Sequence, residues 1–180
     1  RLDRNTTGLV LFGKTSESLR ILTKAIRERS NIKKYYLTIV SGFFDEPMKI
    51  ESRLLKDSKR NTVNIPDENI PEEQNKGKVS YTIVRPVAQG KEFSLVEAEL
   101  ITGRTHQIRA HLSKAGFPLI GDTKYGSRRV NERVKHEFGL TTQLLHAYKL
   151  EFFGFTGKFS YLNGKSIQMP PPADFIKVRY

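Results

Sequence analysis

Asp3 stands between Arg1 and Arg4 in the run Arg1-Leu2-Asp3-Arg4-Asn5, which leads into Thr6-Thr7-Gly8. A guanidinium on each side favours the charged carboxylate, and a constrained carboxylate can act as a nucleophile, a base or a ligand. Taken alone, the cluster reads better as a solvated terminal patch. A second segment changes the odds: Gly103-Arg104-Thr105-His106-Gln107-Ile108-Arg109 follows a strand-like run from Phe93 to Thr102. Thr105 can cap a helix that packs Ile108, Leu112 and Ala115 and stops at Gly116. Arg109 then lies one turn beyond His106. A strand end that delivers an arginine onto a first helical turn suits an anion, either the Asp3 carboxylate or a phosphate. His106 and His111, five apart, do not share a helix face as a metal-binding pair does, and no carboxylate nearby completes a site.

Together these two segments resemble the paired motifs of the RluA-type RNA pseudouridine synthases. Supporting matches are Lys34-Tyr35-Tyr36 with Gly42 downstream, Lys78-Val79-Ser80-Tyr81-Thr82, Pro118-Leu119-Ile120-Gly121-Asp122 with Tyr125-Gly126, and Leu145-His146-Ala147. The resemblance spans nearly the whole chain in the expected order. It implies a mixed, mostly antiparallel β-sheet flanked by helices, with a cleft across one face, and an activity that isomerises uridine within ribosomal or transfer RNA. Asp3 matches the family's essential aspartate, which attacks the uridine or deprotonates its sugar as the C1′–N1 bond breaks; the uracil turns and rejoins through C5. Tyr36 matches the active-site tyrosine expected to stack on the base and help move the C5 proton, and Arg109 the basic residue that pairs with the aspartate. Arg4, Arg104 and His106 are expected to contact RNA or serve the structure, with Arg4 placed to act where a duplex must open. His111 is expected to be structural. An isomerisation of this kind calls for no cofactor and no metal. Asn5 and Thr7 depart from the usual aspartate and serine, and Gly13 from the usual alanine before Lys14.

Composition agrees with that implication without being able to produce it. The 31 Lys and Arg against 19 Asp and Glu leave a net charge of +12 and a pI near 9.9, so a polyanion such as RNA is the natural partner. No apolar run approaches the length of a membrane span, and a membrane partner is not expected. The absence of cysteine rules out disulfides and thiolate metal sites and is compatible with a reducing cytoplasm. A chain of 180 residues with 37% apolar content suits one domain over residues 1–180, acting as a monomer.

The elements that must position the site can be read from periodicity. Leu9 to Phe12 reads as a short buried strand ended by Gly13. A helix follows, capped by Thr15 or Ser16, with Leu19, Leu22 and Ile26 on its packed face. Lys34 to Val40 is β-rich, and alternation puts Tyr35 and Tyr36 on opposite faces. Asp57 to Lys78, dense in Asn, Pro and Glu, reads as a long surface loop. Val79 to Val84 and Phe93 to Thr102 are strands joined by a hairpin turn at 88–91. A polar helix is expected from Arg129 to Phe138, strands around 144–153 and 158–162, and a docking C-terminal segment after Pro170-Pro171-Pro172. Strands outnumber helices without regular alternation, which argues for α+β.

The chain opens directly on the Asp3 motif without an initiator Met, so it reads as a fragment that lacks the start of its domain and any preceding RNA-binding domain. A terminal residue frays unless tied down, so Asp3 is expected to be poorly held. Two other readings compete with isomerase: a non-catalytic RNA-binding module or chaperone, and, more weakly, a hydrolase using Asp3 with a histidine.

Overall fold

Tyr35 to Val40, rich in β-branched and aromatic residues, forms the spine of the molecule. The structure, a computed structural model, describes residues 1–66 and 76–178. In chain order its elements are β1 (Thr7–Gly8), α1 (Ser16–Glu28), β2 (Ile32–Ser41), β3 (Met48–Asp57), β4 (Thr62–Asn64), β5 (Lys78–Gln89), β6 (Phe93–Leu100), α2 (Gln107–Lys114), α3 (Arg128–Phe138), β7 (Leu145–Phe152), a 3-10 turn (Gly157–Leu162), β8 (Ser166–Gln168) and α4 (Asp174–Lys177). Among the described residues the strands make one sheet in the order β1-β7-β2-β6-β5-β3-β4, with β8 on β7. Every pairing is antiparallel except β1 with β7. This is the α+β arrangement expected.

Alternation along β2 divides the molecule into two sides. Tyr36 pairs with Ala98, which pairs with Val84. On that side Ile108 and Leu112 of α2 pack with Val40, Val84, Val96 and Ala98. Ile32, further along the same side, packs with Ala25 of α1. Two helices thus cover one side of the sheet and leave a gap between them over Lys34 and Tyr36. The opposite side carries Leu37 and Ile39 in a core with Val134 of α3 and Phe175 of α4. Each fully buried aliphatic side chain contributes about 1.5–3 kcal/mol, so the face pattern of β2 alone fixes its register firmly.

Several local expectations change. Leu9 to Phe12 is not a strand: Leu9 and Leu11 pack beneath α1, but Phe12 is 82% exposed. Thr15 does cap α1, in a reciprocal box with Ser18. The packed face of α1 is Ile21, Leu22 and Ala25; Leu19 and Ile26 are exposed. Residues 158–162 form a 3-10 turn instead of a strand. Met48–Asp57 forms a strand that sequence reading missed, and the expected loop after it begins with the short strand β4 paired back onto β3. Residues 67–75 of that loop lie outside the described residues.

His111 illustrates how α2 is docked. It is fully buried, and its Nε2 lies 2.9 Å from the hydroxyls of both Ser52 and Ser80. Burial pushes its pKa from the usual 6.5 down to about 4. The imidazole is therefore neutral in the fold but takes a proton in the unfolded chain below pH 6.5. Its contribution is complete above pH 6.5 and is lost as pH falls towards 4, a loss of roughly 3 kcal/mol. Denaturant midpoints should drop between pH 7 and 4.5 and recover on return. A midpoint that stays flat would show that His111 protonates in place.

Candidate active site

The Asp3 loop, expected to fray, is tied to the body at several points. β1 pairs in parallel with β7, Thr7 opposite His146 and Gly8 opposite Ala147. The Thr7 hydroxyl lies 2.7 Å from His146 Nδ1, and His146 Nε2 is 3.2 Å from the Met169 carbonyl. Gln143 Nε2 donates to the Arg4 carbonyl at 2.7 Å, and the Thr6 N–H closes a turn onto the Asp3 carbonyl. Gly8 has φ +115°, and a Cβ there would collide with the Ala147 backbone, so only glycine allows this close approach.

Gln107 builds the opposing wall. Its side-chain oxygen accepts from the Thr102 hydroxyl (2.6 Å) and the Arg104 N–H (3.0 Å), while its Nε2 donates to the Tyr81 carbonyl and the Thr82 hydroxyl. The amide thereby welds the strand-to-helix turn to β5. The residue at the head of α2 is His106, in a left-handed conformation with no side-chain cap; Thr105 does not serve as the cap. That twist aims the His106 ring at Tyr125, whose hydroxyl is 3.0 Å from Nδ1 and accepts from the Val63 N–H at 2.7 Å. Burial and then the Arg109 charge lower the His106 pKa, so the ring is neutral near pH 7.

Arg109 is only 5% exposed and serves two carboxylates. Its Nε and Nη2 donate to Asp122 at 2.6 and 2.8 Å, and its Nη1 lies 3.8 Å from Asp3 Oδ2. Burial alone would raise the Asp122 pKa, but the Arg109 hydrogen bonds and charge, with the N–H groups of Lys124 and Tyr125, hold it below the usual range. The guanidinium also sits over the Tyr125 ring, 5.1 Å from its centre. Sequence reading quoted Asp122 without giving it a task. A signal was available: it is the single acidic residue between Glu99 and Glu132, and a buried arginine requires a carboxylate.

Asp3, Tyr36 and Arg109 line one small cavity of about 90 Å³ together with Arg104, Ile108 and Leu145. It opens beside a larger cavity of about 320 Å³ bordered by Asp3, Lys34, Tyr36, Arg104 and, at its apolar end, Val10 and Ile26. Burial and then the Asp3 charge push the Tyr36 pKa up to about 12, so the phenol keeps its proton. Tyr35 also borders the larger cavity, but its hydroxyl donates to Glu151 on the opposite side of the sheet. Beyond Asp3, a third cavity of about 640 Å³ is lined by Arg1, Arg4, Lys56, His106, Arg109 and Lys124, among others. Arg4 therefore stands on the outer approach and Arg104 at the cleft itself. Among the described residues no group of three or more His, Cys, Asp and Glu side chains could hold a metal ion, and no helix is long and apolar enough to cross a membrane.

Comparison with known sequences bears on this arrangement directly. The profile of a family described as RNA pseudouridylate synthase matches residues 1–114, which include Asp3, Tyr36 and Arg109. The chain belongs to this family. A ribosomal large subunit pseudouridine synthase C from Buchnera aphidicola is 35% identical over 177 residues, covering 98% of this chain and 52% of that protein. An uncharacterized RNA pseudouridine synthase from Helicobacter pylori is 36% identical over 159 residues, 84% of this chain and 52% of that protein. The chain thus spans about half the length of these curated relatives. Among solved structures, human RNA pseudouridylate synthase domain containing 1 superposes with a TM-score of 0.63 at 22% identity, over 91% of this chain and 71% of that one. Human domain containing 4 gives 0.64 at 18% identity, over 91% and 66%. These two likenesses speak to the pseudouridine synthase fold.

Proposed function

We propose that residues 1–180 form the catalytic domain of an RNA uridine isomerase, which converts a uridine of large-subunit ribosomal RNA to pseudouridine with Asp3 as the essential group. The observation that carries the reading is the Asp3 carboxylate held against Arg109 on a cavity whose facing wall is Tyr36. The name borne by the relatives motivates the choice of RNA. At about 320 Å³ the adjoining cavity falls in the range of roughly 300–1,000 Å³ typical of small-molecule sites, enough for a nucleobase that has left its stack.

Turning a uridine out costs a few kcal/mol. The net charge of +12 supplies phosphate contacts that offset it. In the cleft, Asp3 acts at the sugar or the uracil as the C1′–N1 bond breaks. Arg109 holds the carboxylate without being free to leave, because two of its nitrogens are committed to Asp122. Tyr36 offers its ring to the base and its protonated hydroxyl to the C5 proton transfer, where an acceptor, Asp3, lies alongside. The reaction rearranges one nucleotide and consumes nothing else.

Release of tritium from uridine labelled at C5, in unmodified large-subunit ribosomal RNA, tests the proposal and separates an isomerase from a simple RNA-binding module. Tyr36→Phe should retain RNA affinity and lose about a hundred-fold in turnover, the usual scale for one proton-transfer group. Unchanged turnover would limit Tyr36 to stacking.

A further inference from the structure

Of the cations that line the larger cavity, terminal Arg1, Lys34 and Arg104 have no anionic partner among the described residues, and Lys34 and Arg104 adjoin the same glycine. Lys34 lies two positions before Tyr36 on the same side of β2, in the gap between α1 and α2, and borders the cavity. Among the described residues its ammonium makes no hydrogen bond or ion pair, although the residue is partly buried. Its Nζ lies against Gly103, 3.6 Å from where a Cβ would stand. The next residue is Arg104, whose Nε is buried without a hydrogen-bond partner. Burial and then the Arg29 charge lower the Lys34 pKa, as happens to an ammonium that has lost water and gained no counterion.

We propose that Lys34 and Arg104 form a phosphate-binding subsite that grips an RNA backbone phosphate next to the target uridine. This rests on the isomerase reading. The ammonium lies beside Gly103, which carries no side chain to cover it, and the guanidinium belongs to the next residue, with its Nε unsatisfied. Both line the cavity that Asp3 and Tyr36 share. An anion placed there compensates the cations for the solvation that folding removed, and a phosphate suits the Arg104 fork and the point charge of Lys34. A carboxylate of the protein cannot take the role, because Asp3 faces Arg109 and the nearby Glu97, Glu99 and Glu151 are engaged with Arg85, Lys149 and Tyr35 on the other side of the sheet.

The subsite is tested with unmodified transcripts of large-subunit ribosomal RNA, comparing wild type, Lys34→Gln and Lys34→Arg. The Gln variant should raise KM about ten-fold at low salt while kcat stays within about two-fold. The plot of log kcat/KM against log salt should become shallower by about 0.7, the increment for one phosphate contact on a single strand. The Arg variant should restore both. A wild-type salt slope in Lys34→Gln, or a fall in kcat at constant KM, would overturn the subsite. If wild type itself makes no pseudouridine, the isomerase reading fails instead, and the same slope comparison on filter-retained RNA still decides whether Lys34 holds a phosphate.

Discussion

Asp3→Asn should lower tritium release by about four orders of magnitude or more while RNA affinity changes less than about three-fold. The substitution keeps the shape of the side chain and removes its charge. Apart from the 3.8 Å ion pair with Arg109, the ties that seat the loop do not depend on that charge: they run through the Asp3 and Arg4 carbonyls, Thr7 with His146, and the pairing of β1 with β7. Arg109 is not orphaned either, because Asp122 continues to accept from two of its nitrogens. The variant therefore isolates the chemistry from the fold. Turnover close to wild type, measured with unchanged melting behaviour, would refute the role of Asp3.

Asp122→Ala should do the reverse, damaging the fold first and the activity as a consequence. It strips a fully buried carboxylate from a guanidinium that is only 5% exposed. Removing one member of such a pair costs about 3–5 kcal/mol, since the remaining charge is left without compensation. For a domain of this size that corresponds to a fall in Tm of roughly 10 °C or more. The Lys124 and Tyr125 N–H groups lose their acceptor at the same stroke. Arg109 would then turn wholly to Asp3, so the surviving folded fraction should also show weakened turnover. A Tm within about 2 °C of wild type would mean that Asp3 or water satisfies Arg109 unaided.

The cap that starts α1 was readable from local chemistry, whereas its packed face and the cap of α2 were not: Leu19 and Ile26 are exposed and Thr105 does not cap α2. Thr15 starts α1, and the turn at Gly90 joins β5 to β6. The α+β class followed from the count and order of strands. Reading failed where tertiary context outweighs local pattern. Met48–Asp57 alternates charged and apolar residues as an outer strand does, yet it carries too few β-branched residues to stand out. Phe12 looks buried by type but lies on the surface. For the candidate site, the motif residues named Asp3, Tyr36 and Arg109, and these three do share a cavity. Asp122 could have been singled out as the single acidic residue between Glu99 and Glu132, but the supports from Gln143 and His146 were not visible, because their contacts with Arg4 and Thr7 span 139 residues of chain. A periodicity carries no information about such distant partners.

The seat of Asp3 has a consequence for synthesis. Thr7 and His146 meet across 139 residues of chain. At about 5–20 residues per second, translation reaches the seating strand on the order of ten seconds after the aspartate has been made. Until then the Asp3 loop has no strand to pair with, so the seat of the proposed catalytic group forms only after β7 has been made.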